Sequence, residues 1–157
     1  MSENNKDLYK LVATNKKAFR DYHIFDKWEC GIALKGSEVK SVRLGHVSFK
    51  DSFARIDEQE VFLYNLHIEP YQQASYLNVE PDRVRKLLLH KKEIKKIIVL
   101  STQKRLSLVP TKLYFNKRGL LKVELASGQG KKLLDKRETV KIRDIERQLD
   151  RRIKMTR

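Results

Sequence analysis

ECGIALKG, residues 29–36, is the stretch on which the fold turns. Cys30, Ile32 and Leu34 point one way while Glu29, Gly31, Ala33 and Lys35 point the other, the period-two signature of a half-buried strand. The period then changes. In SEVKSVRLG (37–45), Val39, Val42 and Arg43 share a helical face; Ser37 stands where a cap is wanted and Gly45 where a helix ends. HVSFKDSFARI and VFLYNLHI flank DEQE and read as a hairpin, closed by Pro70 and Tyr71.

Residues 78–100 read as helix in two pieces. Pro81 suits a first turn, Val84, Leu87 and Leu88 follow at three- and four-residue spacing, and Ile94, Ile97 and Ile98 resume the pattern after a break in LLLHKKE. The leucine triplet 87–89 is expected in the core. RLSLVPTKLYF (105–115) pairs with LLKVELA across a turn at 116–119, and Pro110 implies an edge or a bulge. About six short strands with few helices predict a mainly β fold with flanking helices, an oligonucleotide-binding-type β-barrel. Its domain is read as residues 1–126, followed by a flexible linker, SGQG at 127–130.

Residues 131–157 then form a basic tail. With Gly130 they carry eleven Lys/Arg against five Asp/Glu, +6 of the chain's formal +15, so the remaining +9 makes the body basic too. On a helix, Ile142, Ile145, Leu149 and Ile153 form a thin apolar stripe opposite Lys136, Arg143, Arg147, Arg151 and Lys154. Such a helix is marginal alone, so the tail is expected to be disordered when free and helical on a polyanion. The charge points to nucleic acid ahead of an anionic membrane. The longest apolar run, IIVL, is too short to span a bilayer, and MSENNKDLYK has no signal-peptide h-region. The single Cys30 and scattered His23, His46, His67 and His90 offer no disulfide or zinc spacing, so the cytoplasm is the expected setting, with no metal or cofactor.

Catalysis lacks a constellation. Asp21, Asp26, Glu29, Glu38 and Asp51 could in principle converge on a metal, but no D-x-D pair, HExxH or Gly-rich phosphate loop accompanies them, and Ser41, Ser48 and Ser52 lack nucleophile-elbow flanks. Binding signals are denser. NKKAFRDYHIF (15–25) interleaves Lys16, Lys17 and Arg20 with Phe19, Tyr22 and Phe25, where cations suit phosphate and rings suit unpaired bases. Phe19 and Phe25 are expected in the core, while Tyr22 fits either use. Lys40 and Arg43 share a helical face. RVRKLLLHKK adds Arg83, Arg85, Lys86, His90, Lys91 and Lys92.

NKKAFRDYHI, the run ECGIALKGSEVKSVRLGHVSFKDSFARI, HIEPY, RKLLLHKKEI, LVPTKLYF and GKKLLDKRE occur in this order. Together they resemble the SsrA-binding protein family, partners of transfer-messenger RNA in bacterial ribosome rescue, from about Tyr9 onward. The resemblance implies a non-enzymatic factor on an oligonucleotide-binding-type barrel. It would bind the tRNA-like domain of transfer-messenger RNA, act as a monomer beside elongation factor Tu on the charged RNA, and place its tail in the decoding centre and empty mRNA channel of a stalled ribosome. The RNA-binding positions it implies are Asn15, Lys16, Lys17, Tyr22, Glu29, Glu38, Lys40 and Arg43, with Lys86, His90 and Lys91 in the neighbouring element. The ribosome-facing tail positions are Gly130, Lys131, Lys132, Leu134, Asp135, Lys136, Arg137 and Glu138. Lysines and Arg43 would meet phosphate, Asn15 a base edge or 2′-hydroxyl, and Tyr22 would stack. Glu29 and Glu38 would accept from base amino groups or orient cations, with a structural role favoured for Glu38. Leu134 departs from the family, which usually has an aromatic or histidine before the DKR; leucine packs on a base but neither stacks nor hydrogen-bonds. Two rivals remain: a general RNA chaperone, and a metal-dependent nuclease on the same barrel.

Overall fold

The protein, seen in a computed structural model, is described over residues 10–155, with side chains at all of these but 75, 133–135, 139 and 152–155. The elements are β1 (Lys10–Thr14), α1 (Lys16–Asp21), β2 (Tyr22–Ile32), α2 (Gly36–Arg43), β3 (Val47–Ser48), β4 (Phe53–Asp57), β5 (Glu60–Tyr64), β6 (His67–Ile68), a 3₁₀ helix (Gln72–Leu77), β7 (Arg85–Leu88), α3 (Lys91–Lys104), β8 (Ser107–Phe115), β9 (Leu121–Gly130) and α4 (Leu133–Met155). Strands β4, β5, β7, β2, β9 and β8 pair in that order, and Ala54 opposite Leu108 joins β8 back to β4. The ring is a closed barrel of the expected type, with flanking helices. β1 lies outside it along the far half of β8.

Alternation fills the barrel. Cys30, Val61, Leu63, Leu113, Val123 and Leu125 are fully buried, joined by Val42 of α2 and Ile97 of α3. Each aliphatic side chain so buried contributes roughly 1.5–3 kcal/mol. Burial also pushes the Cys30 thiol up to about 12, so it is a small core residue with little thiolate character. The β4–β5 hairpin forms as read. Its two loop residues, Glu58 and Gln59, have φ of 45° and 64°, the backbone a two-residue loop needs to follow strand twist. The β8–β9 hairpin also forms, with Asn116 Oδ1 accepting from the Arg118 and Leu120 N–H groups and Gly119 at φ 74°.

Five local expectations are corrected. Residues 85–88 are a strand, β7, between β5 and β2, and the helix begins only at Lys91. Arg85 occupies an inward position and Leu88 an outward one, 51% exposed, so the apolar alternation is hidden and the leucine triplet is not wholly core. Residues 127–130 are no flexible linker but the end of β9: Ser127 is buried, and a Cβ on Gly128 would meet Tyr22 Cβ at 3.1 Å. That glycine serves close strand approach. The N-cap of α2 is Lys35, whose N–H donates to Glu38 Oε2 at 2.7 Å, while Ser37 Oγ donates to the Leu77 carbonyl. Gly45 does end α2, with His46 N–H to Ser41 O and Gly45 N–H to Val42 O, the paired bonds of a Schellman motif. Finally, Phe25 is 56% exposed, because it falls on the outward side of β2 in the same alternation as His23, Lys27 and Glu29. The reading of the first nine residues, and of the last two of the tail, falls outside the described residues.

Candidate nucleic-acid interface

Pro110 sits at a bulge of β8, as its missing N–H requires. The bulge anchors α1. Asn15 donates its N–H to Thr111 O and its side-chain Nδ2 to Pro110 O, while its Oδ1 accepts from Ala18 N–H and caps the helix. Asn15 is therefore buried and occupied in holding α1. The helix carries Lys16 and Lys17 outward; Lys17 pairs with Asp51. Behind it a cavity of about 1060 Å³ is lined by Asn15, Lys17, Tyr22, Gly130 and Lys136, so the fold brings part of the first motif to the root of the tail. Asp21 is the meeting point. Its carboxylate accepts from Arg20 Nε at 2.9 Å and lies 3.8 Å from Lys136 Nζ, and its carbonyl accepts from Lys131 N–H. The Arg20 hydrogen bond, followed by the charges of Arg20, Lys136 and Lys17, holds this carboxyl below its ordinary value against its own burial. Lys131 Nζ donates to Phe19 O, while Lys132, Arg137 and Glu138 reach outward. Leu134 and Asp135 lie in α4, with side chains outside the described set.

A second groove, of about 760 Å³, is lined by Glu29 from β2, Arg43 from the end of α2, His90 at the N-cap of α3, and Leu88, Leu120 and Lys122. Gly31 is opposite Leu88, and a Cβ there would meet Leu88 Cβ at 3.2 Å, so glycine lets β2 and β7 close under the groove. Tyr114 Oη donates to Glu29, Lys122 Nζ is 3.7 Å from the same carboxylate, and the Arg43 guanidinium lies 5.9 Å from the Phe115 ring centre. A carboxylate acceptor, cations and exposed Leu88 and Leu120 share one open cleft. This set can accept from a base amino group, meet phosphate and pack on a ribose or base face.

Other expected positions go elsewhere. Glu38 is buried on the inner side of α2, where Arg83 Nε and Arg85 Nε donate to Oε1 at 3.0 and 2.8 Å. Burial would raise its pKa, but the hydrogen bonds from Arg83, the Lys35 N–H and Arg85 outweigh that and hold it lowered. Arg85 is fully buried and also donates to the Leu66, Arg83 and Pro81 carbonyls. Burial lowers its pKa, with Glu38 opposing. Lys40 extends to the Tyr71 ring at 5.4 Å, Lys86 pairs with Glu60 on the outer face of β7, and Lys91 is exposed at the start of α3; none of these lines either cavity. The early carboxylates do not converge: Asp21 and Asp51 line the first cavity, Glu29 the second, and Glu38 the interior. Among the described residues no cluster of metal-ligating side chains forms. Tyr114, Lys122 and Leu120 are not among the site positions the sequence points to. Lys122 alternates with Leu121 and Val123 in the sequence itself, but that it and Tyr114 reach Glu29 follows only from the pairing of β8, β9 and β2.

The family described as "SmpB protein" matches residues 12–155. The SsrA-binding protein of Caldicellulosiruptor saccharolyticus is 55% identical over 155 residues, 98% of each chain. That of Syntrophobacter fumaroxidans is 56% identical over 142 residues, covering 90% of this chain and 88% of its own. Among solved structures, a chain from "tmRNA-SmpB: a journey to the center of the bacterial ribosome" superposes with a TM-score of 0.68 at 49% identity, covering 83% of this chain and 94% of that one.

Proposed function

The chain belongs to the SmpB family, and from that premise we propose that it works as an RNA-binding ribosome-rescue factor: it binds transfer-messenger RNA and serves trans-translation. The observation that carries this reading is end-to-end similarity, 55% identity over 98% of both chains with a relative named SsrA-binding protein. The basic body and two cavities, each lined by cations beside aromatic or apolar side chains, supply the chemistry an RNA partner needs.

At the finer level, the Glu29–Arg43–His90 groove takes the tRNA-like domain, with Glu29 accepting from a base amino group and Arg43 meeting phosphate. Lys16 and Lys17 on α1, beside the first cavity, and Lys40, Lys86 and Lys91, outside both cavities, add positive charge to the surface that meets the RNA. Asn15 and Glu38 act by holding α1 and α2 in place. The tail from Lys131 onward engages ribosomal RNA in the decoding centre and the empty mRNA channel. Its helix, whose apolar stripe at Ile142, Ile145 and Leu149 is exposed, melts readily in the free protein and orders on that polyanion. The factor acts as a cytoplasmic monomer without catalysis, meeting elongation factor Tu through the charged RNA. No helix among the described residues is long and apolar enough to cross a membrane.

The test is a competition titration at about 150 mM salt, where exposed charges act over roughly 8 Å: labelled tRNA-like domain, challenged with excess bulk tRNA. Retained binding supports a dedicated partner. Complete displacement would reduce the protein to a general basic RNA binder.

A further inference from the structure

Strands β4, β5 and β7 fill their inward positions with Ala54, Val61, Leu63, Arg85 and Leu87, all buried. Their outward positions would ordinarily be polar. Here Phe53 stands opposite Tyr64, Arg55 opposite Phe62, and Phe62 opposite Lys86. Three half-buried aromatic side chains and two cations thus share one outer sheet face. Phe53 and Tyr64 stack with centroids 5.3 Å apart and planes 6° from parallel, and the Arg55 guanidinium lies 5.6 Å from the Phe53 ring centre. None of these rings borders the Glu29 groove, yet the face continues into it through Lys86 and Leu88, successive outward residues of β7.

We propose that this face is a stacking platform for unpaired RNA nucleotides, with Phe62 and Tyr64 meeting base faces and Arg55 and Lys86 meeting the phosphates between them. An aromatic face flanked by cations suits single-stranded nucleic acid, because every base has a π-face and every linkage a negative charge. An apolar protein partner would not need the cations, and a base-paired helix would not offer its base faces to the rings. Asp57 and Glu60 occupy the next outward row, toward the β4–β5 turn. They close the platform there and direct the strand toward Phe53 and Tyr64. The inference rests on RNA as the partner, and adds to the groove a second subsite for a different part of the RNA.

The experiment uses the full chain and a fluorescent oligouridylate of about ten nucleotides, enough to cross a platform of this kind. Phe62→Leu/Tyr64→Leu, which keeps apolar bulk and removes both π-faces, weakens oligonucleotide binding at least tenfold. Its affinity for the tRNA-like domain stays within twofold of the unmodified protein. Arg55→Gln weakens the oligonucleotide severalfold and lowers its salt dependence. Photocrosslinking of 4-thiouridine oligonucleotide to the unmodified protein, mapped by mass spectrometry, covers the case of a variant that does not fold; crosslinks fall in Phe53–Tyr64. Equal oligonucleotide binding by the folded double variant, no binding by the unmodified protein, or crosslinks confined elsewhere would overturn the proposal. Loss of preference for the tRNA-like domain over bulk tRNA, with platform crosslinks intact, would overturn the function reading and leave the platform standing.

Discussion

The Tyr114 hydroxyl of β8 donates to the Glu29 carboxylate of β2, reaching across the intervening strand β9, whose Lys122 approaches the same carboxylate. Glu29 is half-exposed, so without these partners its side chain would sample several rotamers. With them it presents a fixed acceptor to the groove. Replacing Tyr114 by Phe removes one oxygen and keeps the ring. A net hydrogen bond is worth about 0.5–1.5 kcal/mol, so the Kd for the tRNA-like domain rises about two- to tenfold. Fluorescence anisotropy reads that change, and an unaltered thermal melt shows that it is not a folding defect.

Glu38 and Arg85 behave differently because both are buried. Truncating Glu38 to Ala leaves the Arg85 guanidinium in the interior without its carboxylate. Breaking a buried pair in this way costs about 3–5 kcal/mol. Urea unfolding of Glu38→Ala shows a midpoint lowered accordingly; a loss below about 1 kcal/mol would mean that Arg85 finds other compensation.

The same carboxylate makes stability depend on pH. Its folded pKa lies below the unfolded value of 4.5, so the unfolded state binds the proton more readily. The stabilisation is fully present above that unfolded value and is lost as pH falls through the folded one. Urea midpoints measured from neutral pH down to below 4 decline in the parent protein. In Glu38→Gln, less stable at neutral pH, the decline is shallower.

Deleting residues 131–157 removes the tail cations but none of the groove-lining residues. Affinity for the tRNA-like domain stays within a few-fold, while peptide tagging on stalled ribosomes is abolished. Tagging that survives would sink the role assigned to the tail.

Salt separates surface charge from shape. If about five phosphates are neutralised, log K falls against log salt with a slope near −4. A titration series giving a slope near zero would place the contact away from the basic surface.

The barrel was legible because alternation from Glu29 to Ile32, where β2 ends, the DEQE hairpin and the 105–126 pair are local patterns whose apolar residues face one way. β7 was not. Its inward Arg85 is polar and its outward Leu88 apolar, since a buried ion pair and an open surface groove each invert the usual rule. SGQG misled for a related reason: glycine marks flexibility and close strand approach alike, and only Tyr22 packed over Gly128 distinguishes them. In the site, residue types were visible but allegiance was not. Asn15 and Glu38 have the chemistry of RNA contacts, yet the fold consumes their hydrogen bonds in a helix cap and a buried ion pair.

The anchoring of Lys131 and Lys136 on α1 gives the tail a direction. Lys131 is tied through its N–H to Asp21 and through its ammonium to Phe19, and α1 is itself pinned to the β8 bulge by Asn15. From that mooring α4, when helical, runs 23 residues, a lever about 35 Å long. Its aim is set by a helix of six residues. One residue inserted between Lys132 and Lys136 would turn every distal cation by about 100° while lengthening the lever by only about 1.5 Å. The phase of the tail, more than its length or its charge, is what the body of the protein specifies.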